Sequence, residues 1–217
     1  MAPVPATRAK FDVGQRYDEV AEEYASLFLG DLDESAYARG WLDTFAAVAG
    51  EYDGPVADLG CGPGLVCDYL SQRGLATVGY DVSPGQIAQA RLAFPDLEFD
   101  VGDFGAVAHP DSSLGGIVSR YSIIHTDPSH LDPILSEWMR VLEPGGPVLI
   151  TFFGSLTAEA HGTPFGHTVA TAYELFPATI AQQLHDVGFV DCETDTRPPP
   201  KEGRPFSQGT VFGHKPS

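Results

Sequence analysis

The stretch "VADLGCGPG", residues 56–64, decides the fold. An apolar run carries an acid at Asp58 and then breaks into Gly60, Gly62 and Gly64. Glycine forfeits conformational entropy wherever another residue would serve, so its repetition marks a backbone that turns tightly or is closely approached. A strand that enters such a turn and leaves it as a helix builds a ligand site at the carboxyl end of a sheet. The dinucleotide pattern G-x-G-x-x-G is met at Gly60 and Gly62 but fails at Leu65, because the next glycine comes one residue early at Gly64. A phosphate-binding P-loop needs a Lys and a Ser or Thr after its last glycine, and none follows here.

Outward from this turn, short apolar runs alternate with amphipathic stretches. "PVADLG", "ATVGYD", "LEFDVGD", "GGIVSRYS" and "PVLITFF" read as five strands. Between them, "GLVCDYLSQR" reads as a helix stopped by Gly74, and "PGQIAQARLAF" as a helix capped by Ser83 with Pro84 in its first turn. Ser129 is expected to cap "HLDPILSEWMRVL", where Leu131, Ile134, Leu135, Trp138 and Leu142 recur at helical spacing and form a core stripe. "EPGG" ends that helix. "PATIAQQLHDVGF" is a further helix, and "VDCETDT" and "FSQGTVFGHK" are two final strands joined by "RPPPKEGRP". Alternating strands and helices with short links predict a mostly parallel sheet covered on both faces.

The 217 residues are read as a single domain, 1–217, large enough to bury roughly 70% of its unfolded surface. Residues 14–50 are helical in pattern and precede the first strand, forming an N-terminal cap; the first ten residues read as a frayed tail rather than a secretory leader. Residues 155–174 have no clear period, and a segment of that length beside the expected ligand edge reads as a functional loop over the substrate. No run is long enough for a membrane span. With 30 acidic against 12 basic residues the net charge is −18, which repels DNA or RNA over most of the surface. Three cysteines, Cys61, Cys67 and Cys192, form no CxxC pair, so neither a disulfide framework nor a zinc site is expected, and free thiols suit a reducing cytosol.

Acids stand near three successive strand ends: Asp58, Asp81, which lies 21 residues after Gly60, and Asp103. A carboxylate at the end of the second strand can accept from two ribose hydroxyls. The three together suit a ligand with a ribose, an exocyclic amine and a positive charge, and they suit a pyrophosphate poorly.

In their order and spacing, "DLGCGPG", "GYDVS", "VGDF" and "RVLEPGG" resemble the motifs of class I S-adenosylmethionine-dependent methyltransferases over about residues 52 to 153. The resemblance implies an α/β Rossmann-like three-layer sandwich: a seven-stranded, mostly parallel sheet with an antiparallel last strand and an N-terminal helical lid. It implies S-adenosyl-L-methionine as cofactor. Gly60, Cys61, Gly62 and Gly64 would form the close backbone, with Cys61 a small packing residue. Asp58 would orient the methionine amino group, Asp81 the ribose hydroxyls with Val82 against the adenine. Asp103 and Phe104 would flank the adenine, and Arg120 and Tyr121 would line the methionine end. Tyr17 and Tyr24, seven apart and on one helical face, would reach the cofactor or substrate from the lid. One departure is "SLGGIVSRYS": many relatives begin the fourth strand with an aspartate, where this chain has Gly115 and Gly116.

Transfer of a methyl group to a hydroxyl or a carbon acid needs a base, whereas an amine or a carboxylate needs none. His125, in the loop after the fourth strand, is the candidate base. Asp127 alone, followed by Pro128, does not make a metal site. His161, His167 and Phe152 are candidate substrate contacts, with Phe153 and Phe165 as further apolar wall. The expected activity is methyl transfer to a small organic acceptor, such as a secondary metabolite, with oxygen favoured over nitrogen or carbon. The expected form is a cytoplasmic monomer or homodimer with no nucleic-acid or membrane partner. The alternatives are a cofactor-binding scaffold without catalysis and, less well matched by Gly64 and Asp103, an NAD-dependent oxidoreductase.

Overall fold

The computed structural model describes residues 6–29, 36–199 and 206–217. Residues 1–5 of the expected tail, 30–35 of the cap and 200–205 of the proline-rich link lie outside the described residues. The chain opens with helices α1 (Ala6–Glu19), α2 (Ala21–Phe28) and α3 (Ala36–Ala49). It then alternates β1 (Val56–Leu59), α4 (Leu65–Ser71), β2 (Thr77–Asp81), α5 (Pro84–Ala93), β3 (Glu98–Val101), β4 (Gly116–Arg120), α6 (Asp132–Val141) and β5 (Pro147–Gly154). A short hairpin, β6 (Pro164–Gly166) and β7 (Thr171–Tyr173), precedes α7 (Pro177–Asp186), β8 (Val190–Arg197) and β9 (Ser207–His214).

The main sheet has seven strands in the order β3-β2-β1-β4-β5-β9-β8. Strands β1 to β5 run parallel, and β9 inserts antiparallel between β5 and β8. β1 and the inner part of β5 are buried throughout, as strands covered on both faces must be, and their near-continuous apolar runs follow from that. On one face Phe45, Tyr69 and Leu70 pack against Val56, Val118 and Leu149; on the other, Trp138, Ile180 and Leu184 pack against Ile117, Val148 and Phe152. The strand order reverses between β1 and β4, so the carboxyl ends of these two strands open a crevice.

Local chemistry sets the helix starts. The Ser83 hydroxyl accepts from Gln86 N at 3.0 Å, and Pro84 takes the first helical position of α5, where its missing N–H costs nothing. α6 differs from expectation. Ser129 does not cap it; Ser129 sits in a 3-10 turn, Pro128–His130, whose N-terminal amide is taken by Asp127, and Leu131 precedes the helix without a side-chain cap. The doubled glycine at the start of β4 has a packing reason. A Cβ on Gly116 would lie 2.7 Å from the Phe45 ring and 3.3 Å from Ala49, so α3 rests directly on the strand.

Candidate functional site

The turn after β1 answers for its glycines one at a time. Gly60, Gly62 and Gly64 all have positive φ, at +83°, +52° and +88°. A Cβ on Gly60 would lie 2.2 Å from Ser122 Cβ, so here the close neighbour is the loop after β4. One on Gly64 would meet the Phe99 ring at 2.6 Å, so this glycine lets α4 approach β3. At Gly62 a Cβ would meet Gln86 Oε1 at 3.8 Å and Tyr24 at 4.0 Å, ordinary van der Waals contact, so its positive φ rather than crowding calls for glycine. Cys61 points the other way, buried against Ile87 and Phe99, and burial raises its thiol pKa well above the usual range. Sequence reasoning placed it as packing, and its contacts are those of packing.

Asp81 ends β2 beside this turn. Its Oδ2 accepts from Gly62 N and its Oδ1 from Ser83 N, both at 2.9 Å, so it ties the glycine turn to the start of α5. Burial raises its pKa, against the pull of those amides. Asp58 is 2% exposed. Burial and then the nearby Asp81 charge push its pKa up to about 7, while Arg120 draws it down. Its Oδ2 accepts from the Cys67 thiol at 3.8 Å. Asp103 Oδ1 accepts from Gly105 N at 2.8 Å in the turn after β3, and Phe104, next along, packs edge-on to Trp138, whose indole donates to the Phe104 carbonyl at 2.7 Å. Arg120 closes β4 with its guanidinium 5.2 Å from the Tyr121 ring centre. Tyr121 has φ +55°, a left-handed turn at the strand end, and donates its amide to Thr151 O at 2.7 Å.

Helices α1 and α2 lie across this edge. Val82 packs beneath Gly14, where a Cβ would be 3.2 Å from the Val82 carbonyl. Tyr17 and Tyr24 meet edge to face at 5.5 Å. The Tyr17 hydroxyl lies 3.0 Å from His125 Nε2, and His125 Nδ1 lies 2.8 Å from Thr171 O. A carbonyl only accepts, so Nδ1 carries the proton and Nε2 the lone pair; the Tyr17 hydroxyl is therefore the donor to Nε2. Burial lowers the His125 pKa, and the Thr171 carbonyl opposes this. Burial, with Tyr24 and Asp81 adding to it, raises the Tyr17 pKa far enough that it stays a phenol at neutral pH.

The segment between β5 and α7 is not featureless. The strands β6 and β7 form a hairpin that delivers Thr171 to His125 and His167 to within 5.3 Å of the His125 ring. Phe153, Phe165 and Phe206 continue an aromatic wall from His167, with ring centres 4.5 to 5.8 Å apart. Phe152 does not belong to it: fully buried, it turns toward Gly209 and Pro177 in the core, on the side of β5 opposite Phe153. His161 also stands aside, since its Nδ1 accepts from Phe176 N at 3.0 Å and thereby holds the approach to α7.

Sequence reasoning missed Gln86. It is 1% exposed, on the inner face of α5 near Gly62, and neither its amide nitrogen nor its carbonyl oxygen has a hydrogen-bond partner among the described residues. A buried carboxamide left unmatched costs free energy unless something supplies its partners. The sequence signal is a polar residue next to Ile87 on the buried face of an otherwise amphipathic helix.

Residues 56–146 match the family described as methyltransferase domain. With the fold and this site, that match makes the chain similar to S-adenosylmethionine-dependent methyltransferases. Among curated relatives, a demethylmenaquinone methyltransferase of Beutenbergia cavernae is 31% identical over 144 residues, 66% of this chain and 56% of the relative. A trans-aconitate 2-methyltransferase of Rhizobium meliloti is 29% identical over 130 residues, 59% of this chain and 49% of the relative. The chain thus spans about half the length of these relatives. Two solved structures share the fold at low identity. The [4+2]-cyclase SpnF has a TM-score of 0.76 at 17% identity, covering 95% of this chain and 97% of its own. The 1,6-didemethyltoxoflavin-N1-methyltransferase of Burkholderia thailandensis has 0.72 at 19%, covering 100% and 93%. That toxoflavin enzyme carries bound S-adenosylhomocysteine. The orphaned Gln86 carboxamide beside the glycine turn fits such a ligand, which brings donors and acceptors to it.

Proposed function

We propose that this chain methylates a hydroxyl group on a small organic acceptor, with His125 as the base. When bound, the cofactor supplies a sulfonium-activated methyl group, so that the acceptor oxygen bonds to the methyl carbon as the bond from that carbon to sulfur breaks. Asp58, Asp81, Gln86 and the turn at Gly60–Gly64 would hold it, with Asp103, Phe104 and Val82 about the adenine and Arg120 and Tyr121 at the methionine end. Tyr17 and Tyr24 would cover it.

The observation that carries the reading is the fixed tautomer of His125. Thr171 O holds the proton on Nδ1, so the basic Nε2 faces the Tyr17 hydroxyl of α1. An acceptor hydroxyl taking the place of the Tyr17 hydroxyl gives its proton to Nε2. A lowered His125 pKa keeps the ring neutral, and therefore basic in function, at neutral pH. An amine acceptor would not need this arrangement, which is why oxygen is favoured. The wall of Phe153, Phe165 and Phe206 supports an acceptor with an apolar body. The segment 155–174 serves as its lid, and the absence of a pairing partner for any of the three cysteines supports a cytoplasmic setting.

The test is turnover, read as S-adenosylhomocysteine formation over a panel of hydroxylated aromatic and aliphatic acceptors. His125→Ala is expected to lower kcat by about 10²- to 10⁴-fold, the usual contribution of a general base, while S-adenosylhomocysteine affinity stays unchanged. Full turnover in His125→Ala would remove the base assignment. The second reading, a cofactor-holding protein with no methyl transfer, has one observation in its favour: the same fold serves a [4+2] cyclase. It predicts cofactor binding with no turnover on any acceptor.

A further inference from the structure

We infer that Asp18 is a positioning residue that latches the α1–α2 lid to the start of α5 and thereby sets the rate at which the spent cofactor leaves. The inference rests on the cofactor site described above. One carboxylate oxygen of Asp18, Oδ1, accepts from Ser83 Oγ at 2.6 Å and from Gly85 N at 2.7 Å. Ser83 is the cap of α5: its hydroxyl oxygen already accepts from Gln86 N, and its proton goes to Asp18. The Ser83 amide in turn donates to Asp81 Oδ1. One residue therefore joins the lid carboxylate to the carboxylate proposed to bind ribose. A negative charge at the first turn of α5 is also favoured by the unpaired amides and dipole of that helix, modestly so at an exposed position.

The packing around the latch is shaped for a closed lid. A Cβ on Gly85 would lie 3.0 Å from Ala21 Cβ and 3.0 Å from Asp18 Oδ1, so α2 occupies the space a side chain would take. Ala21 and Ala25, small and buried, form the face of α2 set against α5. Asp18 is adjacent to Tyr17, whose hydroxyl donates to His125, and Arg16 reaches Val169 O at 3.5 Å. With the latch made, Tyr17 and Tyr24 sit over Gly62 and His125; with it broken, α1 loses its hold on α5. Departure of a bound cofactor requires that opening, a step that limits turnover in many enzymes.

The experiment uses the full chain, loaded with S-adenosylhomocysteine and chased with excess S-adenosylmethionine in a stopped-flow, alongside hydrogen exchange over residues 12–28 with and without ligand. Asp18→Ala is expected to release S-adenosylhomocysteine about tenfold faster and to lose protection in α1 and α2. Asp18→Asn, whose carbonyl still accepts from Ser83 and Gly85 but lacks the charge, should fall between it and the wild type. Gly85→Ala separates positioning from stability. Alanine is the better helix former, so α5 itself is kept, yet the added methyl wedges Ala21 and Asp18 away and release should again quicken without any change to the Asp18 carboxylate. Wild-type release and wild-type exchange in both Asp18→Ala and Gly85→Ala would overturn the latch. Failure of the wild type to bind S-adenosylhomocysteine would count against the cofactor site instead, and exchange over residues 12–28 in Asp18→Ala would still decide the latch.

Discussion

Asp58 is a carboxylate that folding makes hard to ionise. Its ordinary value of 3.8 rises to about 7 because burial removes water and Asp81 adds a like charge. The stability this group contributes is fully present below pH 3.8 or so and is lost as the pH rises through about 7. A cationic ligand reverses the preference. If Asp58 holds the methionine ammonium, binding must ionise it and release a proton whenever the pH lies below about 7. S-adenosylhomocysteine affinity is therefore expected to strengthen as pH rises from about 5 to 7 and to level off above, with proton release at the lower end. Calorimetry in two buffers of different ionisation enthalpy checks this, and Asp58→Asn should abolish the proton release. The position of Asp58 was legible, because an acid within a run of buried apolar residues stands out. Gln86 was not, because a single sequence does not show that a glutamine on a helix faces inward with its amide unmatched.

Trp138 shows how an element holds a site residue that it does not contain. It is fully buried on α6, and its indole N–H donates to the carbonyl of Phe104. Trp138→Phe keeps most of the apolar area and strands that carbonyl. A loss of about 1–3 kcal/mol is expected, seen as a melting temperature lower by several degrees. An unchanged melting temperature would mean that the hydrogen bond contributes little. The stripe of Ile134, Leu135 and Trp138 was readable from its period; its cap was not, since Asp127 and a 3-10 turn compete for the same few residues before the helix. The hairpin β6–β7 escaped for a similar reason. Its strands are three residues long, too short for an alternating pattern to rise above its histidines, glycines and prolines. It is nevertheless what fixes the proton on His125.

At the scale of the whole molecule the topology follows from the order of its motifs. Each apolar run followed by a helix adds a parallel strand, and a reversal of strand order between β1 and β4 places the glycine turn at the mouth of a crevice. That much was legible because every link is local. The packing of the N-terminal helices was only half legible. Two tyrosines seven apart announce a face, but that Asp18 meets Ser83 depends on contacts 65 residues apart in sequence. The net charge of −18 sets against polyanions without naming a substrate, so the proposed acceptor is argued from the walls around His125 alone. The most direct test of the site is calorimetric titration with S-adenosylmethionine, S-adenosylhomocysteine and NAD, repeated on Asp81→Ala. Binding of the first two and not of NAD is predicted, with Asp81→Ala weakening both by about 1–3 kcal/mol. Binding of NAD alone, or affinities untouched by Asp81→Ala, would contradict it.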